Sequence, residues 1–133
     1  MINNFDKKQS LDDLMKFLSI EGVTGEERDI AMTIKNDLIS YGIPSEYITF
    51  DNANEKIPLP TQVGNLIIKL PGTINAERIM FSSHLDTVPL CRGAIPVIKD
   101  DKILPKENTA LGGDDRTGAV SYTHLTLPTI CSV

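Results

Sequence analysis

Two apolar runs in the middle of the chain, each bordered by turn-forming residues, constrain the fold more than any other feature. They cover residues 66–70 and residues 78–83, and they are rich in Ile, Leu and other strand-forming side chains. Runs of this length and composition predict β-strands, and the second run is apolar enough to predict a largely buried one. Because helical patterns precede and follow them, the sequence predicts an α/β layered fold.

Two amphipathic helices are predicted before these strands. Residues 10–20 place apolar side chains at three- and four-residue spacing, with Asp12 and Asp13 near the start, where the helix dipole favours acids. Thr24 and Glu27 have the spacing of a capping box for a second helix, which the sequence ends at Gly42. The chain then continues mostly as loop to residue 63, with a short strand predicted over residues 47–50.

Residues 96–105 have the pattern of a β-hairpin. Two short apolar stretches flank Asp100-Asp101, which we interpret as a two-residue turn, although Asp-Asp is a poorer turn pair than Asp-Gly.

Composition excludes several classes of partner. The chain has 133 residues, enough for one ordinary domain, and its 13 basic and 18 acidic side chains give a net charge of −5 with no basic block. Nucleic acids and anionic membranes both require a basic surface, so neither is an expected partner. The sequence shows no leader and no membrane-span pattern, and we therefore expect a cytoplasmic protein with Cys91 and Cys131 reduced.

The second apolar run ends directly in residues that can bind a metal. His84 and Asp86 follow it two positions apart, which places both side chains on the same face of an extended chain. An imidazole at the end of a strand is well placed to bind zinc, and the neighbouring carboxylate can orient the ring.

A second motif about thirty residues later contains two adjacent acids. Gly112 and Gly113 give the backbone freedom to approach closely, and Asp114 and Asp115 follow. Adjacent carboxylates repel each other, so we expect Arg116 to relieve one charge and a divalent metal to relieve the other. Taken separately, a histidine of this kind is more often a structural residue, and Gly-Gly-Asp-Asp is more often an exposed turn.

The two motifs in this order resemble the dinuclear zinc exopeptidase superfamily that includes tripeptidase T, carboxypeptidase G and the aminoacylases. The matching segments are His-Leu-Asp-Thr-Val-Pro at 84–89 and Gly-Gly-Asp-Asp-Arg-Thr-Gly at 112–118. Residues 18–27 and 64–67 look like further family segments, and the predicted hairpin is similar to an insertion in tripeptidase T-like members. The resemblance implies the catalytic domain's fold, a three-layer sheet with helices on both faces, of which this chain carries the N-terminal part.

The resemblance also implies roles for individual residues. His84 is then a ligand of one zinc ion, Asp114 is the carboxylate that bridges two zinc ions, and Asp86 is the acid of the catalytic site that orients His84. Asp115 is not expected to be a ligand. The implied reaction is the hydrolysis of short peptides by a metal-bound water. Hydrolysis of N-acyl amino acids by the same chemistry, and a noncatalytic α/β module, are the alternatives.

The end of the chain departs from the family. Residues 1–120 fit the peptidase domain, whereas residues 121–133 are rich in Thr, contain Pro128 and lack an apolar stripe of helical period. We therefore predict a nonhelical ending, and our hypothesis for it is a frameshift or a sequencing or assembly error. The family's Glu-Glu pair and distal ligands are missing, and His124 is not expected to replace them. We accordingly expect a truncated, inactive fragment of a peptidase.

Overall fold

A computed structural model describes residues 6–130, with side chains described through residue 124. Two helices come first, four short strands follow, and a third helix comes last among the described residues. In order they are α1 (Lys7–Ser19), α2 (Arg28–Ser40), β1 (Ile48–Phe50), β2 (Leu66–Ile68), β3 (Pro96–Lys99), β4 (Lys102–Pro105) and α3 (Gly113–Ile130). This mixture confirms the predicted α/β class.

Both N-terminal helices form, but their starts differ from the prediction. Helix α1 begins three residues earlier than predicted because Asp6 is its N-cap and accepts a hydrogen bond from the backbone N–H of Gln9 at 2.9 Å. The predicted capping box at α2 is wrong: Glu27 is the N-cap residue and makes no side-chain cap bond. The hydroxyl of Thr24 instead donates to Asp86, 62 residues away in the sequence.

Helix α2 ends as predicted at Gly42. This glycine has a φ of +96°, which side chains with a Cβ rarely adopt. The N–H of Gly42 donates to the carbonyl of Ile39, and the N–H of Ile43 donates to the carbonyl of Leu38, which together form a Schellman motif. The turn places Ile43 in the core, where it is 1% exposed.

The core lies between the three helices and the first strand pair. Its buried members all have apolar side chains. They come from α1, α2 and the turn after α2, with additions from β1 and α3. They are Phe17, Ile30, Ile34, Leu38, Ile43, Ile48, Ala119 and Val120.

The strands form two small antiparallel sheets. Strand β1 pairs with β2, and β3 pairs with β4 in the predicted hairpin. Asp100 and Asp101 have φ values of 51° and 57°, as a two-residue turn with both residues in the left-handed region requires. The three-layer sheet stays a prediction, because within residues 6–130 each sheet has two strands.

The prediction of a buried strand over residues 78–83 is wrong. No strand among the described residues pairs with this segment, and Ile79, Met80 and Phe81 are 79%, 88% and 59% exposed. An apolar run becomes a buried strand only where a neighbouring strand satisfies its backbone and another layer covers its side chains. Residues 6–130 provide neither, although the ring of Phe81 stacks on that of Tyr122 with 5.2 Å between centroids.

The prediction of a nonhelical ending is also wrong, because α3 continues to Ile130. Among the described side chains, its buried face consists of Arg116, Ala119, Val120, Thr123 and His124, at helical spacing but mostly polar. The Thr123 hydroxyl donates to the carbonyl of Ala119 at 2.8 Å and so satisfies itself within the helix. The helix does not test the hypothesis of a frameshift or a sequencing or assembly error, which stays a prediction. No helix within residues 6–130 is long and apolar enough to cross a bilayer.

Candidate metal centre

The segment that carries His84 and Asp86 is fixed at its far end by the loop between α1 and α2. The N–H of Thr87 donates to the carbonyl of Gly22 at 2.9 Å, and the N–H of Thr24 donates to the carbonyl of Thr87 at 3.1 Å. These bonds form an isolated parallel bridge between Val23 and Thr87, both of which are buried. The loop therefore positions a segment that no described strand supports.

The imidazole of His84 lies between the two carboxylates that the sequence singled out. Its Nδ1 is 3.0 Å from the carbonyl oxygen of Asp86 and 3.1 Å from Oδ1 of the same residue. Its Nε2 is 3.1 Å from Oδ1 of Asp114. The structure thus brings His84, Asp86 and Asp114 into one cluster, although Asp114 is 30 residues further along the chain.

The two carboxylates make this position favourable for positive charge. The hydrogen bond to Asp114 has the largest effect and raises the pKa of His84. Burial lowers this pKa by less, and the contacts with Asp86 raise it further. The side chain of Asp114 is 97% exposed, and that of His84 is 51% exposed, so the cluster is open to solvent ions.

Asp114 reaches this position through an irregular start to α3. Gly112 has a φ of +72°, and a Cβ there would lie 2.5 Å from Cγ2 of Thr87, so both the backbone angle and the packing require glycine. Asp114 and Asp115 have nonhelical backbone angles and are joined by a cis peptide bond. Oδ1 of Asp115 accepts from the N–H of Gly118 at 3.0 Å, as an N-cap residue does.

Asp115 is therefore turned toward the backbone of α3, whereas Asp114 faces His84.

A cavity of about 350 Å³ adjoins the cluster. Its lining combines the three predicted site residues with small and apolar groups from the neighbouring loops. The lining residues are Thr24, His84, Asp86, Thr87, Val88, Cys91, Ala110, Gly112, Gly113 and Asp114. Cys91 is a free, buried thiol in this lining, and Cys131 lies outside the described residues.

Arg116 does not neutralise the adjacent acids, and that prediction is wrong. Its guanidinium donates to the carbonyls of Leu85 at 2.8 Å, Phe17 at 2.6 Å and Ile20 at 3.3 Å. The side chain is 1% exposed, and its burial lowers the pKa to about 10, which leaves it a cation at neutral pH. Arg116 thus ties the end of α1 to the segment between His84 and Asp86.

Comparison with known proteins connects this geometry with peptidases. The chain superposes on a tripeptidase from Staphylococcus aureus with a TM-score of 0.80 and 26% identity, over 94% of this chain and 32% of that one. It superposes on aminopeptidase PepT from Bacillus cereus with a TM-score of 0.78 and 28% identity, over 90% of this chain and 31% of that one. This structural likeness confirms the resemblance to the exopeptidase superfamily that the two motifs indicate.

The sequence comparisons add a relative whose name states no activity. An uncharacterised Bacillus subtilis protein, YqjE, is 30% identical over 114 residues, which cover 85% of this chain and 29% of that protein. No family model matches the chain. The chain therefore spans about a third of the length of each of these three proteins.

The donor atoms of the His84–Asp114 pair fit a zinc ion. Two ligands of one tetrahedral zinc lie about 3.3 Å apart, given bond lengths of roughly 2.0 to 2.1 Å, and Nε2 of His84 and Oδ1 of Asp114 are 3.1 Å apart. The Nδ1 edge of the ring faces Asp86, so Nε2 is the ring nitrogen that is free to bind a metal. Residues 6–130 contain no group of three or more potential ligands, so these two donors form an incomplete site.

His124, which the sequence did not support as a ligand, lies in a separate polar cluster. Its Nε2 is 2.9 Å from Oδ2 of Asp13, and the hydroxyl of Tyr41 donates to the same carboxylate at 2.8 Å. Burial and the bond to Asp13 raise the pKa of Tyr41. None of these three residues lines the cavity.

The site residue that sequence reasoning missed is Thr24. Its spacing from Glu27 favoured a local role as a helix cap, and only its place in an early family segment pointed toward the site. The structure places its hydroxyl 2.6 Å from Oδ2 of Asp86.

Proposed function

We propose that the protein of which this chain is a part hydrolyses short peptides with a metal-bound water, and that His84 and Asp114 are metal ligands. The observation that carries the proposal is the placement of His84, with Nδ1 on Asp86 and Nε2 on Asp114. The likeness to a tripeptidase and an aminopeptidase supports peptides as the substrate class. The chain itself supplies two candidate ligands, and we infer that it does not hydrolyse peptides alone.

Each residue of the cluster has a distinct task. Asp86 accepts from Nδ1 of His84, which fixes the tautomer and directs the lone pair of Nε2 toward Asp114. Asp114 offers an exposed carboxylate with two oxygens, which suits a ligand shared by two cations. When bound, zinc lowers the pKa of a water and polarises the scissile carbonyl.

The cavity has the character expected of a peptide-binding position. Val88, Cys91 and Ala110 give it apolar walls, while Thr24 and the cluster give it polar groups at one side. A small pocket of this composition fits one amino-acid side chain or a peptide terminus beside the metal.

Metal binding is tested by titrating the chain with Zn²⁺ while the ring nitrogens of His84 are followed by NMR. We expect the Nε2 resonance to shift on titration, and we expect Asp114→Asn to weaken the apparent affinity roughly tenfold. Asp115→Asn is the matched control, because the amide keeps an oxygen for the cap at Gly118. A His84 ring that ignores Zn²⁺, or equal losses in the two variants, would contradict the ligand assignment.

The substrate class is tested in a chimera in which residues 6–120 replace the superposed third of the Staphylococcus aureus tripeptidase. We expect this chimera to hydrolyse a tripeptide, the isolated chain to be inactive, and His84→Gln to abolish the chimera's activity. Hydrolysis of N-acetyl amino acids in preference to tripeptides would instead support the acylase alternative.

A further inference from the structure

We propose that Thr24 is a positioning residue that sets the orientation of Asp86 and, through it, the metal-binding geometry of His84. The inference rests on the proposed function, since it assigns a role toward the same metal. The observation behind it is a continuous chain of polar contacts that begins at Thr24, passes through Asp86 and His84, and ends at Asp114.

The two oxygens of Asp86 have different partners. Oδ2 accepts from the hydroxyl of Thr24 at 2.6 Å, and Oδ1 faces Nδ1 of His84 at 3.1 Å. A carboxylate that bonds the ring through one oxygen alone can still rotate about its Cβ–Cγ bond. The hydroxyl on the opposite oxygen removes that freedom and keeps Oδ1 directed at the ring.

Thr24 is itself held in place by the backbone. Its N–H donates to the carbonyl of Thr87, and the N–H of Thr87 donates to the carbonyl of Gly22, so the threonine lies beside the end of the site segment. The hydroxyl therefore approaches Asp86 from a fixed direction, and the side chain needs only one rotamer to reach it.

The rest of the loop is bonded to the segment that follows Cys91. The guanidinium of Arg92 contacts both carboxylate oxygens of Glu26 at 3.0 Å, and the N–H of Gly93 donates to Glu21 at 3.0 Å. Cys91 and Thr24, which lie on the two connected segments, both line the cavity. The loop that carries Thr24 is thus anchored on both sides of the hydroxyl.

A hydroxyl is well suited to this task. It donates one hydrogen bond to the carboxylate and adds no charge, so it orients Asp86 without competing with the imidazole for the anion. A lysine or arginine at this position would bind Asp86 as an ion pair and reduce its hold on His84.

The test compares Thr24→Val, which has nearly the same shape without the donor, with Thr24→Ser, which restores the donor. In the metal-free chain, at a pH where the ring is neutral, we expect Thr24→Val to shift the tautomer of His84 away from the form protonated at Nδ1. For Zn²⁺ we expect Thr24→Val to raise the apparent Kd roughly tenfold and Thr24→Ser to restore it. Thr33→Val is the matched control, because its hydroxyl bonds only the carbonyl of Asp29 within α2.

The outcomes separate the two proposals. If Thr24→Val leaves both the tautomer and the Zn²⁺ affinity unchanged, Thr24 does not position Asp86. If the wild-type chain binds no Zn²⁺ at His84, the ligand assignment fails, while the tautomer of the metal-free ring still decides the role of Thr24. Thr24→Ala provides the same comparison should Val disturb the loop, since Thr24 is exposed.

Discussion

Helix α2 and the segment 78–83 contain similar apolar side chains but differ in what surrounds them. Ile30 and Ile34 on α2 are 0% and 4% exposed, whereas Ile79 and Met80 are 79% and 88% exposed. A helix satisfies its own backbone and needs only one covered face, while an extended segment needs partners for its backbone as well. The described residues therefore cover the inward face of α2, whereas they leave the apolar side chains of residues 78–83 exposed.

The largest expected difference between the two regions is in stability. Ile30→Ala should lower the free energy of unfolding by about 3 kcal/mol, because it leaves a cavity in the core. Ile79→Ala, the same change at an exposed position, should alter it by less than about 0.5 kcal/mol. Urea denaturation measures both, and equal losses would show that residues 78–83 are buried in solution.

The next effect concerns the contact between α1 and the site. Arg116→Met should cost about 2 kcal/mol, because it removes charged hydrogen bonds to the carbonyls of Phe17 and Leu85 in a buried position. Arg92→Met provides the comparison and should cost less, since the ion pairs of Arg92 with Glu21 and Glu26 are exposed and screened by solvent. A larger loss of stability at Arg92 than at Arg116 would mean that the exposed ion pair of Arg92, and not the buried guanidinium of Arg116, fixes the loop between α1 and α2.

A smaller effect is expected where α3 begins. Gly112→Ala should destabilise the chain by about 1 to 2 kcal/mol, because its backbone is left-handed. It should also move the ring resonances of His84. At Gly113 a Cβ would meet no atom within 4 Å, so Gly113→Ala should leave both the stability and the ring unchanged. Identical behaviour of the two variants would refute this account of the turn.

The smallest effect on stability, but a useful one, concerns self-association. Met80→Glu should change the free energy of unfolding by less than about 0.5 kcal/mol while reducing concentration-dependent aggregation, because it interrupts an exposed apolar strand-like run. Leu59→Glu, at a residue 72% exposed outside this run, is the control. Light scattering that responds equally to both changes would remove any special role for residues 78–83.

Features determined by neighbouring residues could be predicted from the sequence. The Asp100-Asp101 turn and the end of α2 at Gly42 both follow from local backbone preferences, and both are confirmed. The cluster of His84 with Asp114 also followed from the sequence, because the two motifs resembled a known family even though neither was specific alone.

Features that depend on distant partners could not be predicted. Thr24 had the spacing of a helix cap, yet its hydroxyl bonds Asp86 far along the chain. Arg116 was adjacent to two acids, yet it faces three carbonyls from other segments. The helical pattern of α3 was hidden because Thr123 and His124 are polar residues on its buried face, and tertiary packing outweighs the weak propensity of such residues.

The buried guanidinium of Arg116 has a consequence for the order of folding. It joins residues that are 99 positions apart in the sequence, and it does so beside the segment that holds His84. Closing a loop of that length costs entropy before any contact repays it, and proteins rich in such distant contacts fold slowly. The helices and the hairpin can form early from local contacts, whereas we expect the cluster of His84 and Asp114 to assemble only after α1 has met α3.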